Sequence, residues 1–487
     1  MYSKLLVVLC LCLTAGGQTI RITGGVADDQ VVQRDARGRA ALALSGVVEH
    51  MPAVKPARGK PPAPVVIEAR LLRKHMPVPG FEWREIARAE GGKWSAELQE
   101  APAGGPYRLE ARVAGTEAVA AIHNVLIGDL WVLAGQSNME GVGDLRDLEP
   151  PHDLVHSFTM QYQWVVAEEP LHRRPDAVAS VHWIRNQGKP EKLSGERLAQ
   201  YIANRRKGAG LGLPFAAEMV RRTGIPVGLL PCAHGGTSMD QWDPALKERG
   251  DDSLYGAMLN RVRAAGGRIQ GVLWYQGESD ANPKAAAAFA GKFERLVAAL
   301  RQDFGQPGLP FYYVQIGRHI SMSNVDEWNA VQEMQRQAEQ TIPGVAMAAA
   351  VDFELDDGIH VGVADLKRLG KRLAHLATGG QRGPRPGTAV FRDGILHVTF
   401  TAVNGALRAP GRVLGFSLHN AKGEYLPLIY KARVDPADGS AVLLYIQGKI
   451  PEGAALHYGR GKDPVCNVRD AADMALPVFG PLPLSGS

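Results

Sequence analysis

The chain has 487 residues, more than one ordinary hydrophobic core accommodates, so more than one domain is expected. Its composition, 45% hydrophobic and 22% charged, is that of a globular protein and excludes disorder as the default. A formal charge of +5, from 55 basic against 50 acidic residues, is too mild to argue for nucleic acid, and the cluster Arg205-Arg206-Lys207 reads as a solvated loop.

The first residues form a pattern of their own. Lys4 precedes the apolar run Leu5-Leu6-Val7-Val8-Leu9-Cys10-Leu11-Cys12-Leu13, and small residues Thr14-Ala15-Gly16-Gly17 follow. A short positive region, an apolar core and a small-residue exit predict a secretory signal peptide over residues 1–18, and hence a secreted or periplasmic protein. The run is too short for a spanning helix, and no later stretch is long, apolar and uncharged, so no membrane-spanning segment is expected. Two of the four cysteines fall in this leader. Cys232 and Cys466 remain, and whether they pair is open.

Residues 19–124 read as all-β. Short alternating runs such as Ile20-Arg21-Ile22-Thr23 and Tyr107-Arg108-Leu109-Glu110-Ala111-Arg112-Val113 are separated by Pro- and Gly-rich turns, which predicts a small β-sandwich. From 125 to 380 apolar strands alternate with helical stretches, the signature of a parallel sheet with crossover helices. Strands are expected at 130–134, 225–230, 269–275, 311–316 and 345–351. Helices are expected around 216–222, 254–265, 285–302, 325–340 and 363–377; the last carries Leu366, Leu369, Leu373 and Leu376 at helical spacing. A long polar insertion between Asp144 and Gly212 shows no clear period and reads as a pocket wall. Residues 381–487 return to β patterning, as in Leu396-His397-Val398-Thr399-Phe400-Thr401.

The strand ends carry the chemistry. The first strand ends in Gly135-Gln136-Ser137-Asn138-Met139, and the second in Ala233-His234-Gly235-Gly236-Thr237-Ser238. The third ends in Gln276-Gly277-Glu278-Ser279-Asp280, and the fifth soon reaches Asp357-Gly358-Ile359-His360. In a parallel sheet these ends share one edge, where open α/β folds bind ligands. Serine needs a base to take its proton, and histidine is the usual one near neutral pH. A carboxylate can orient that imidazole, and backbone N–H groups with an amide can hold an oxyanion. Asp357 and His360 are close enough in sequence for a turn to join them.

These four motifs, in this order, resemble the sialate O-acetylesterase family of SGNH-type carbohydrate esterases. The likeness extends to Val31-Val32-Gln33-Arg34-Asp35, to Leu456-His457-Tyr458-Gly459-Arg460 and to Leu476-Pro477-Val478-Phe479, so it covers nearly the whole mature chain. It implies an SGNH/flavodoxin-like parallel sheet with helices on both faces, flanked by N-terminal and C-terminal β-sandwich-like regions. It implies Ser137 as nucleophile, His360 as base and Asp357 as the orienting acid, with Glu278 the other candidate for that last role. It implies an oxyanion hole from the Ser137 and Gly236 N–H groups and the Gln276 amide. The chain departs from the family pattern after His360, where Pro and Asn usually follow and Val361-Gly362 stand instead.

The function expected is therefore a secreted, cofactor-independent serine esterase that removes O-acetyl groups from carbohydrate, like a sialate 9-O-acetylesterase, through an acetyl-enzyme. Acetylxylan or another acetylated polysaccharide is the alternative substrate. A non-catalytic glycan-binding protein is the alternative of another class. Arg318, after the fourth strand, is a candidate partner for a sialate carboxylate. Competing motifs fail. The first motif lacks the final Gly of the α/β-hydrolase elbow. Gly208-Ala209-Gly210-Leu211-Gly212 follows no expected strand, so it is not a dinucleotide loop. Neither His-Glu-x-x-His nor paired Cys-x-x-Cys is present, so no metal ligand set is visible.

Overall fold

The computed structural model describes residues 19–49, 64–320 and 324–486. The expected signal peptide lies outside the described residues. The chain divides into two compact units, one up to Gly128 and one from Asp129 onward. Among the described residues no helix is long and apolar enough to cross a membrane.

In the first unit, Thr19–Gly25, Arg39–Glu49 and Lys93–Pro102 form an antiparallel sheet. Val65–Arg73, Arg84–Ala89, Gly104–Val113 and the first part of Val119–Gly135 form a second. Alternation explains them: along Arg39–Glu49, Ala40, Leu42 and Leu44 are buried while Arg39, Ala41 and Ala43 face out. Leu42, Leu44, Trp94 and Leu98 from the first sheet share one core with Ile67, Leu71, Leu109 and Ile127 from the second.

The second unit is built on a mostly parallel sheet. Its strands are β1 (Val119–Gly135, from Asp129 onward in this unit), β2 (Val155–Phe158), β3 (Trp164–Val166), β4 (Val227–Pro231), β5 (Gly271–Tyr275), β6 (Phe311–Gln315) and β7 (Val345–Ala349). The spatial order is β3-β2-β4-β1-β5-β6-β7; β3 is antiparallel to β2 and every other pairing is parallel. Strands β4 and β5 are buried at every position, as strands covered on both faces must be. The helices are α1 (Ser137–Glu140), α2 (Gly195–Asn204), α3 (Gly212–Thr223), α4 (Leu254–Ala264), α5 (Pro283–Asp303), α6 (Val325–Thr341) and α7 (Val363–Ala377). α3 packs on α7 and α5 on α6. Gly370 permits the first contact, because a Cβ there would sit 2.7 Å from the Phe215 backbone nitrogen.

All five strands expected in this region are present. The insertion adds two further strands to this sheet, β2 and β3. β2 escapes a pattern search because it is four residues long and holds the buried polar residues His156 and Ser157. The C-terminal strands, from Arg385–Arg392 to Phe479–Ser485, form an eight-stranded sheet within the same unit. Gln315 at the end of β6 fastens it: its side chain donates to the Val478 carbonyl and accepts from the Val478 N–H, each at 2.9 Å. Arg385 adds a 2.6 Å ion pair to Glu339 on α6. Cys232 and Cys466 are both free and buried.

Candidate active site

Strand β1 lies where the strand order reverses, between β4 and β5, the position at which open α/β sheets leave a crevice. It ends at Gly135, whose φ is +129°. Only glycine fits, since a Cβ would fall 2.1 Å from the Tyr275 carbonyl oxygen on the adjoining strand. The chain turns there, and Ser137 opens the one-turn helix α1.

His360 arrives from the loop between β7 and α7. Its Nε2 lies 2.9 Å from Ser137 Oγ, although 223 residues separate the two in sequence. Its Nδ1 lies 2.8 and 3.0 Å from the two Asp357 carboxylate oxygens. An ionised carboxylate only accepts, so the proton sits on Nδ1 and Nε2 offers its lone pair to the serine hydroxyl. Asp357 Oδ1 also accepts from the N–H groups of Ile359 (3.0 Å) and His360 (2.9 Å). Burial pushes its carboxyl up, but the hydrogen bonds from the His360 ring and these two N–H groups outweigh that and hold it at about 2.

Among the described residues Glu278 makes no hydrogen bond to the imidazole, whose ring nitrogens meet Asp357 and Ser137. Its Oε1 accepts from Asn138 Nδ2 at 2.8 Å, while Oε2 is buried without a partner among the described residues. Burial raises its carboxyl, partly offset by the Asn138 bond. Of the two acids, Asp357 is the one whose side chain meets His360.

One of the groups expected to form an oxyanion hole is engaged elsewhere in the structure. Gln276 is fully buried, and its amide donates to the Thr237 carbonyl (3.1 Å) and to Asp280 Oδ2 (2.5 Å). Both amide hydrogens are spent, so Gln276 has no donor left for an oxyanion; it ties the end of β5 to the turn after β4. Among the described residues the Ser137 and Gly236 N–H groups have no partner, and Gly236 is in the left-handed region at φ +71°. Arg318 is likewise committed, to Glu354 (2.6 Å), to Asp463 and to the Phe353 carbonyl (3.0 Å), and so is not a free cation for a substrate carboxylate.

Several residues of the site have roles that the sequence does not show. Asn138 is buried; its Oδ1 accepts from the Val361 N–H at 3.0 Å and its Nδ2 reaches the Ile359 carbonyl at 3.5 Å, so it grips the chain on both sides of His360. Glu140 Oε2 accepts from the Gly235 N–H at 2.6 Å. Arg174, from the insertion, donates to Glu140 at 2.7 Å and to His234 Nε2 at 2.8 Å, and His182 stacks on His234 with ring centroids 5.4 Å apart.

Comparison with known proteins adds to this picture. The family model described as carbohydrate esterase, sialic acid-specific acetylesterase, matches residues 127–378. The chain is 31% identical over 209 residues to a probable carbohydrate esterase of Arabidopsis thaliana, covering 38% of this chain and 68% of that protein. It is 23% identical over 301 residues to the sialate O-acetylesterase of Homo sapiens, covering 55% of this chain and 56% of that protein, so it spans little more than half of that relative. A carbohydrate acetylesterase from Xanthomonas citri is similar in fold, with a TM-score of 0.61, 22% identity, and coverage of 93% of this chain and 97% of that one.

Proposed function

The chain belongs to the sialic acid-specific acetylesterase family of carbohydrate esterases and is a carboxylic ester hydrolase, and from that premise we propose that it is a secreted serine esterase removing O-acetyl groups from sugars. The observation that carries the reading is the 2.9 Å approach of Ser137 Oγ to His360 Nε2, with Asp357 on the opposite ring nitrogen.

Ser137 Oγ attacks the acetyl carbonyl carbon as its proton passes to His360 Nε2. The tetrahedral oxyanion accepts from the Ser137 and Gly236 N–H groups, each such donor worth roughly 3–4 kcal/mol in the transition state. Asp357 holds the tautomer and stabilises the imidazolium. The C–O bond to the sugar breaks, the sugar oxygen takes the proton from His360, and an acetyl-enzyme remains. Water then gives a proton to His360 and attacks the acyl carbon; acetate leaves and Ser137 recovers its proton. No cofactor is needed for these steps.

The organisation proposed with this function is a signal peptide at 1–18 and an N-terminal β-sandwich region at 19–124. An SGNH/flavodoxin-like esterase domain at 125–380, with helices on both faces of its sheet, and a C-terminal β region at 381–487 complete it. Ser137→Ala assayed on p-nitrophenyl acetate tests the reading; full activity in that variant ends it. The names of the curated relatives favour an O-acetylated sialic acid as substrate. Acetate release from O-acetyl sialic acid measured beside acetylated xylan decides between the two sugars, and fluorophosphonate labelling of Ser137 excludes a protein that only binds glycan.

A further inference from the structure

We propose that Glu140 and Arg174 are positioning residues that set the turn carrying the Gly236 donor, so that the insertion between Asp144 and Gly212 governs the oxyanion side of the site. The inference rests on the reading of Ser137 as the nucleophile.

The helix that opens with Ser137 ends with Glu140, one turn on. The Glu140 carboxylate divides its oxygens. Oε2 takes the Gly235 N–H at 2.6 Å, and Oε1 takes Arg174 Nε at 2.7 Å. Arg174 Nη1 then reaches His234 Nε2 at 2.8 Å. The guanidinium thus spans an acid on the nucleophile's helix and the residue just before Gly235. Burial, with the charges of Arg174 and Arg185, pushes His234 down to about 3, so its ring is neutral and Nε2 has a lone pair to offer. His234 is held further by its carbonyl, which accepts from Thr237 Oγ1 at 2.7 Å, and by its N–H, which donates to the Gly135 carbonyl at 3.0 Å.

Gly235 lies against the nucleophile. A Cβ on it would stand 3.4 Å from Ser137 Cβ and 3.1 Å from Glu140 Oε2. Fixing the Gly235 N–H fixes the residue from which the next peptide plane, the one bearing the Gly236 N–H, departs. The arrangement also places a carboxylate beside the point where negative charge develops. Arg174 compensates it in a setting where the two side chains are only 12% and 30% exposed. Glu140 without Arg174 both loosens the turn and opposes the oxyanion.

That second effect separates positioning from simple support. Arg174→Ala should lower kcat on p-nitrophenyl acetate by roughly tenfold or more with KM within about threefold, less than the loss of an oxyanion donor outright. Its affinity for an alkyl trifluoromethyl ketone, whose hemiketal oxygen occupies the same hole, should fall by a matching factor. Adding Glu140→Gln to Arg174→Ala should restore part of kcat, because it removes the uncompensated charge while keeping an acceptor for Gly235. Arg174→Lys, which keeps the cation but cannot serve both partners, should lie between, and carries the test with Glu140→Gln if Arg174→Ala does not fold. Wild-type kcat in the Arg174 variants, or a double variant no faster than Arg174→Ala with ketone affinity unchanged, overturns the proposal. Ser137→Ala run in parallel separates the two readings. An active Ser137→Ala removes the nucleophile, whereas an inactive one beside fully active Arg174 variants removes only the clamp.

Discussion

The loop that carries His360 and the turn that carries Gly236 flank the same serine and are held by different kinds of contact. On the base side most bonds are local. Asp357 meets the His360 ring three residues away and accepts from the Ile359 and His360 N–H groups, and the Asp356 N–H donates to the His360 carbonyl at 2.8 Å. On the oxyanion side most partners are distant: Gly235 is held by Glu140, 95 residues earlier, and His234 by Arg174, 60 residues earlier. A local loop closes at little entropic cost and forms as a piece, whereas a turn held by distant elements takes its shape only once they have packed.

The base side therefore tolerates exposure: the Asp357 side chain is 41% exposed, while Glu278, the other acid near the site, is 3% exposed as a residue. The comparison breaks if the buried acid proves to be the one that matters to catalysis. Asp357→Ala should lower kcat/KM by about 10²-fold or more, because the imidazole loses its tautomer lock and the partner of its charged form. Glu278→Gln, which keeps an acceptor for Asn138, should stay within about threefold on the same assay. A reversed ranking would transfer the orienting role to Glu278.

Asn138 is one long-range hold on the His360 loop, through Val361 and Ile359, beside the Ile320 N–H, which donates to the Gly358 carbonyl at 2.8 Å, and Lys207, which pairs with Asp357 at 3.8 Å. Asn138→Ala should reduce kcat by about tenfold and lower the Tm, because it leaves the buried Val361 N–H and the Glu278 carboxylate without their partner, an omission of about 1–3 kcal/mol for each buried group. Unchanged kcat with a lowered Tm would make Asn138 purely structural.

The smallest effect is one of pH on stability. Asp357 is depressed from 3.8 to about 2 in the folded protein. A depressed carboxyl contributes stability above its unfolded value, and that contribution is lost as pH falls through the folded value. The Tm difference between wild type and Asp357→Asn should be present near pH 6 and should close as pH drops from about 4 through about 2. The carboxylate's exposure keeps the difference to a few degrees. A gap independent of pH would show that the Asp357 charge adds nothing to folding.

Much of the fold is legible in the sequence because its signals are periodic. Continuous apolar runs mark β1, β4, β5, β6 and β7, and leucines at helical spacing mark α7. The strand-end motifs are legible for a related reason, since a parallel sheet sends all those ends to one edge. Three-residue spacing makes a pairing of Asp357 with His360 possible, and the packed chain decides it against Glu278. Residue type shows the Gln276 amide at the expected edge but not that Asp280 and Thr237 take both its hydrogens. Strand β2 was invisible because its polar residues are buried against neighbours that the local pattern does not name.

What the sequence determined by itself is the set of elements and the chemistry placed at their ends, because backbone propensity and side-chain period act over a few residues. What only the tertiary structure decided is which donors stay open and which acids stay free: the Gly236 N–H rather than the Gln276 amide, Asp357 rather than Glu278 at the imidazole, Asn138 and Arg174 as holds on the two flanks. Hydrogen-bonding capacity is finite and is filled by whatever the fold brings within about 3 Å, and proximity across tens to hundreds of residues is a property of the packed chain alone.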